Sequence, residues 1–116
     1  MKMPLITVAI CTFNRAAVLR RTLEHMRAME VPSPFEWELL VVDNKSTDNT
    51  PQVLNEMAGR LPVRMLRELK TGQSYARNLI LREARGQWIV WTDDDALVDA
   101  RWLATIMATF QTTGEI

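Results

Sequence analysis

Along the chain, short continuous apolar runs alternate with longer stretches in which apolar residues recur every three or four positions. Leu5 to Cys11 is almost entirely apolar or β-branched, the pattern of a strand covered on both faces in a parallel sheet. Asn14 is placed as the cap of a helix running to about Met29. Val18, Leu19, Leu23, Met26 and Met29 form its buried stripe, and Arg15, Arg20, Arg21 and Glu24 fall on its wet side. Val31-Pro32-Ser33-Pro34 reads as a stiff connector, because proline lacks an N–H and restricts the residue before it. Trp37 to Val42 is a second strand that stops at Asp43, and Asn44 to Asn49 is a polar turn. Thr50 followed by Pro51 marks a helix start, Val53, Leu54 and Met57 give its buried face, and Gly59 ends it.

The second half repeats the alternation. Val63 to Leu66 is a short third strand, and the loop Thr71-Gly72-Gln73 leads into a helix with Ala76, Leu79, Ile80 and Ala84, stopped by Gly86. Trp88 to Trp91 is the fourth strand, and Asp93-Asp94-Asp95 follows at once. Asp99 is placed as the cap of a last helix whose apolar face is Trp102, Leu103, Ile106, Met107 and Phe110. Four strands, each followed by a helix, predict an α/β three-layer sandwich: a mainly parallel sheet of about four strands, Rossmann-like, with helices on both faces. Ligands of such sheets lie beyond the carboxyl ends of the strands. Thr12, Asn14, Asp43, Asp93 and Asp95 all fall there.

Length allows one domain, residues 1–116, and 47% hydrophobic residues suffice for a core without disulfides or structural metal. Fourteen basic and fourteen acidic residues cancel, which removes the electrostatic case for a nucleic-acid partner. The single cysteine, Cys11, cannot form an internal disulfide and is read as packed core, so a cytoplasmic setting is expected. No stretch approaches the roughly 20 apolar residues of a spanning helix.

The chemistry concentrates at the aspartate run. In an extended segment Asp93 and Asp95 point to one side and Asp94 to the other, so the outer pair can share a ligand. Carboxylates with phosphate oxygens make a hard-oxygen site that favours Mg2+ or Mn2+ over zinc or copper. The competing reading is a solvated acidic triplet that favours the N-terminus of the next helix; its place directly after a hydrophobic strand argues for a site. Asp43 can accept from the imide N–H of uracil or thymine, or simply begin the turn. Asp48 is assigned to turn and helix stabilisation. Arg77, in the first turns of the helix after Gly72, can bring its planar fork to a base or phosphate, or be solvated. Lys70 and Arg67 are weaker candidates, and His25 is read as a surface residue. Neither G-x-x-x-x-G-K-[ST] nor G-x-G-x-x-G after the first strand occurs, so phosphate charge has to be met by a metal and cationic side chains.

Four segments together resemble the family-2 glycosyltransferases of the GT-A fold: Val8 to Arg15, Leu40 to Asp48, Gly72 to Asn78, and Trp91-Thr92-Asp93-Asp94-Asp95, which looks like the family's D-x-D motif. The resemblance covers nearly the whole chain. It implies a nucleotide-diphospho-sugar transferase type of fold and an inverting, hexosyltransferase-like transfer of sugar to an acceptor hydroxyl. UDP- or dTDP-sugars are the expected donors, with a saccharide or lipid-linked acceptor, in polysaccharide or cell-envelope biosynthesis. By resemblance Thr12, Asn14 and Asp43 belong to the nucleotide-binding set, with Thr12 and Asp43 on the base. Arg77 lies near base or phosphate, Asp93 near the ribose and beside the metal, and Asp95 on the metal. Members of the family normally continue well past the D-x-D, adding the acceptor half and the carboxylate base. Here Ile116 follows about twenty residues later, so the expectation is a donor-binding half truncated after the D-x-D, without its general base. Asp94 and Asp99 are conceivable stand-ins for that base. Peripheral membrane association through other regions, at the inner face of the membrane, and a homo-oligomer are left open. Two alternatives stand beside this reading. One is a non-catalytic nucleotide-sugar-binding module that needs a partner or a C-terminal half. The other is a phosphoacceptor domain, disfavoured because Thr12 and Asn14, not an acidic pair, follow the first strand.

Overall fold

The computed structural model describes residues 5–32 and 35–113, with side chains to Thr109. Ser33-Pro34 of the connector and the side chain of Phe110 lie outside the described residues. Within them the order is β1 (Leu5–Thr12), α1 (Ala16–Met26), β2 (Glu36–Asp43), α2 (Thr50–Met57), β3 (Val63–Arg67), α3 (Gln73–Glu83), β4 (Trp88–Trp91) and α4 (Trp102–Thr113). All four strands are parallel, in the order β3-β2-β1-β4.

The period of two along β1 divides the core. Ile6, Val8 and Ile10 face one side, where Leu39 and Val41 of β2 meet Leu19, Leu23 and Met26 of α1, Val53, Leu54 and Met57 of α2, and Leu103 and Met107 of α4. Ala9, Leu40 and Val42 face the other side, against Ala76 and Ile80 of α3. The result is three layers, with α1, α2 and α4 on one face and α3 alone on the other. The chain walks outward from β1 to β3, then crosses back past β1 to form β4. A right-handed crossover in the reverse direction has to use the opposite face, which is where α3 lies. The direction reverses between β1 and β4, so the switch point, where α/β sheets open a ligand crevice, lies at the carboxyl ends of those two strands.

Several local expectations change. Asn14 does not cap α1: its backbone is left-handed (φ 48°), and its side-chain oxygen accepts from the amides of Thr47, at 2.7 Å, and Asp48, at 3.2 Å. The amide at the start of α1 is met from outside the helix, by Asp48 Oδ2 accepting from Ala16 N at 3.1 Å. Asp48 also accepts from the amide and hydroxyl of Thr50 at the start of α2, so one carboxylate serves two helix starts. Its pKa is held below the ordinary value first by the Thr50 hydroxyl, outweighing desolvation, with help from backbone N–H groups. Helix α1 ends at Met26, and Val18 is exposed; its buried face is Ala16, Leu19, Thr22, Leu23 and Met26.

Gly86 does not stop α3, which ends at Glu83 with Ala84 already extended. The glycine is required by a close approach: a Cβ there would lie 2.5 Å from Thr7 N and 2.9 Å from Leu5 O. Gly86 N donates to Thr7 Oγ1 at 2.9 Å, and Thr7 donates to Glu38 Oε2 at 2.6 Å. Glu38, almost buried on the α3 side of the sheet, also accepts from Arg64 Nε at 3.1 Å and Arg85 N at 2.8 Å. Burial by itself raises the Glu38 pKa, but the Thr7 hydroxyl, the Arg85 amide and Arg64 together bring it below its ordinary value. A buried acid among apolar strands is thereby satisfied.

Candidate functional site

At the switch point the last residue of β1, Thr12, is buried and its hydroxyl donates to Asp94 Oδ2 at 2.9 Å. Asp94 is only 6% exposed. Its other oxygen, Oδ1, accepts from Arg15 Nη1 at 2.8 Å, and its carbonyl accepts from the Thr22 hydroxyl of α1 at 2.6 Å. The central aspartate is therefore the anchor of the run, fastening the segment after β4 to β1 and α1. The segment is not extended. Ala96 N donates to Asp93 O at 3.3 Å, closing a turn that leaves Asp93 and Asp95 exposed on either side of the inward Asp94.

Asp93 and Asp95 border a cavity of about 580 Å³. Cys11, Thr12, Phe13 and Arg15 from the end of β1 line it on one side, and Thr71, Gly72 and Gln73 from the start of α3 on another. Gly72 has φ +136°, a backbone region closed to other residues, and no side chain closes the start of α3. A helix N-terminus directed at the cavity favours anionic ligands. Asn44 pins this loop: its amide donates to Lys70 O at 2.8 Å and its carbonyl oxygen accepts from Gly72 N at 3.1 Å.

A second, smaller cavity of about 110 Å³ adjoins the first, sharing Cys11, Gln73 and Asp93 and adding Arg77, Trp91 and Thr92. The Arg77 guanidinium lies 5.8 Å from the centre of the Trp91 ring, a cation–π distance, and both line this cavity with Asp93. Cys11 is half-buried: it packs against the α3-side core, as expected, and also borders both cavities. Its thiol pKa is raised, first by burial, with Arg77 opposing and Asp94 and Asp93 adding to the rise.

Thr12, Arg77, Asp93 and Asp95 thus converge. Asp43 and Asn14 do not reach the cavity wall. Asp43 is completely buried, with Oδ1 accepting from Ser46 N at 3.0 Å and Oδ2 from Arg67 Nη1 at 3.1 Å, so it holds the turn after β2. Asn14 joins the loops after β1 and β2. His25 is exposed, as expected.

Arg15, assigned above to the wet side of α1, also reaches into the site, with Nη2 3.3 Å from Asp95 Oδ2. Its position three residues beyond β1 was the available signal, since the strand-end rule that selects Thr12 applies equally to it. Asn44 and Gln73 were also missed. Asn44 directly follows Asp43 at a strand end, and Gln73 follows the helix-opening glycine.

Among the described residues no three His, Cys, Asp or Glu side chains cluster as a closed metal site. Two exposed carboxylates beside an open cavity do fit Mg2+ or Mn2+, which commonly take one or two protein carboxylates and complete their shells with water and phosphate. Asp94 is the less available of the three, because it is buried and its two oxygens already accept from Thr12 and Arg15.

ExoM, a succinoglycan biosynthesis protein of Rhizobium meliloti, is 29% identical over 111 residues, 94% of this chain and 36% of ExoM. The mannosyltransferase PcManGT of Pyrobaculum calidifontis, solved with GDP-Man and Mn2+, superposes with a TM-score of 0.82 at 31% identity, over 94% of this chain and 33% of that one. TarS of S. aureus superposes with a TM-score of 0.85 at 23% identity, over 94% of this chain and 20% of TarS, and has also been solved with UDP-GlcNAc. The chain spans about a third or less of the length of these relatives. The profile of glycosyl transferase family 2 matches residues 7–116, and the chain belongs to that family.

Proposed function

We propose that this chain binds the donor of an inverting glycosyltransferase, a nucleoside diphosphate sugar, with a divalent cation. The observation that carries the proposal is the pairing of two exposed carboxylates, Asp93 and Asp95, with the open N-terminus of α3 across one cavity at the switch point. A diphosphate would lie between them, with the α3 amides, and Arg77 from the adjoining cavity, available to its oxygens. Asp95, with Asp93, would hold Mg2+ or Mn2+, which supplies neutralisation of charge on the departing diphosphate. Thr12 and Arg15 keep the aspartate turn in place through Asp94.

In the proposed reaction an acceptor hydroxyl forms a bond to the anomeric carbon as the bond from that carbon to the diphosphate breaks. The hydroxyl proton passes to a general base. Asp94 is not proposed as that base, because it is buried and both its oxygens accept from Thr12 and Arg15. Asp99 is not proposed either, because its side chain accepts from Arg101 N at the start of α4 and does not line the main cavity. The recognition of uracil or thymine that Asp43 suggested has no place on the cavity wall. The proposal is therefore made for the nucleoside diphosphate, and the UDP-GlcNAc and GDP-Man held by TarS and PcManGT support that class. ExoM's part in succinoglycan biosynthesis supports a saccharide acceptor.

Calorimetric titration with UDP, dTDP and GDP, each with and without Mn2+, tests the proposal. At least one is expected to bind in a metal-dependent way, and Asp95→Ala is expected to weaken it by about tenfold or more, the loss of one charged contact. No binding of any of the three with Mn2+ would refute it.

A further inference from the structure

Arg15 holds two carboxylates of different character with one guanidinium. The Nη1 bond to Asp94 is short, at 2.8 Å, and its acceptor side chain is 8% exposed. The Nη2 contact to Asp95 is longer, at 3.3 Å, and its acceptor is 53% exposed. A charged pair in a desolvated place is costly to break, whereas an exposed and stretched one is worth little. The first contact is therefore the fixed one and the second is exchangeable. Asp95 is also the carboxylate on which the proposed cation depends.

We infer that Arg15 is a ligand-exchanging residue: it holds Asp95 through Nη2 and passes that contact to a diphosphate oxygen when nucleotide and cation enter together. The inference rests on the donor-binding reading above and adds a coupling to it. A cation arriving alone meets a carboxylate already neutralised by a guanidinium, and meets that positive charge nearby. A diphosphate offers Nη2 a new anionic oxygen acceptor and releases Asp95 to the cation. The pivot stays in place because Nη1 remains on Asp94. Cation and nucleoside diphosphate then bind interdependently, each raising the affinity for the other by the same factor, as linkage requires.

The exchange involves no covalent step, so it is read directly from Mn2+ binding. Mn2+ is titrated into the chain and followed by the paramagnetic resonance of the free ion, alone and at saturating UDP, dTDP or GDP, with formation of the metal–nucleotide complex in solution measured separately. Two variants distinguish the coupling from simple support of the fold. Arg15→Lys retains a cation for the buried Asp94 but has no second arm. The double variant Arg15→Gln with Asp94→Asn removes one charge of each sign, so it leaves the net charge near Asp95 unaltered and no buried carboxylate unpaired. Thermal melting establishes that each is folded, and the lysine variant decides the matter if the double variant is not.

Mn2+ alone is expected to bind the variants about fivefold more tightly than the parent chain, and the enhancement by nucleotide is expected to shrink by a similar factor. A residue that merely supported the aspartate turn would weaken Mn2+ binding when altered. Unchanged or weaker Mn2+ binding in folded variants, with nucleotide coupling intact in the parent chain, would overturn the exchange and leave the donor-binding reading standing. A parent chain that binds neither Mn2+ nor any of the nucleotides would overturn both.

Discussion

Single residues in this chain are distinguished by what surrounds their charge. Three adjacent aspartates all border the cavity but have two fates: Asp94 is buried on Thr12 and Arg15, while Asp93 and Asp95 are exposed. Glu38 shows the same principle away from the site. Its partners hold its folded pKa below the ordinary 4.5, so its ionised form stabilises the fold above that pH, and the contribution is lost as pH falls through the folded value. Glu38→Gln should therefore cost about 2 kcal/mol at pH 7, the scale of a charge-assisted hydrogen-bond set, and progressively less below about pH 4.5. Urea denaturation at pH 7 and pH 3.5 measures both; a deficit that is equal at the two pH values would contradict it. The sequence made the outer aspartates legible through their strand-end position. It did not reveal the burial of Asp43, because an acid at a strand end reads the same whether it faces a ligand or a neighbouring Arg67.

At the scale of elements, continuous apolar runs and period-3.6 patterns located the four strands and four helices of the described residues, because each has apolar surface to bury. What they could not supply was the partnership between loops. Asp48 closes the N-terminus of α1 from 32 residues away, so the local candidate Asn14 was assigned the wrong task. Glycine commonly stops a helix, and in the sequence Gly86 reads that way, whereas its work is to let the segment entering β4 approach β1. Gly86→Ala is expected to destabilise the fold by about 1–3 kcal/mol, since backbone and not a flexible side chain stands where the methyl would go. Gly59→Ala, where a Cβ meets nothing within 4 Å, should be nearly neutral. Comparison of the two midpoints in one denaturant series tests the distinction; equal midpoints would contradict it.

Across the whole molecule, strand order decides where chemistry is gathered. The order β3-β2-β1-β4 brings residues 11–15, 71–73 and 93–95 around one opening, although they are far apart in sequence. Alternating strands and helices imply a parallel sheet but leave its order open, so the convergence of Arg15 and Gln73 with the aspartates emerges only once the reversal after β3 is placed. No helix among the described residues is long and apolar enough to cross a membrane. The central claim is that this opening receives a nucleoside diphosphate together with a divalent cation. An amide-resolved NMR titration of the labelled chain with UDP, dTDP or GDP and Mg2+ addresses it most directly. Shifts are expected at Cys11–Arg15, Gly72–Arg77 and Trp91–Asp95, with α2 and β3 unmoved; shifts confined to other elements, or none with any of the three nucleotides, would contradict the claim.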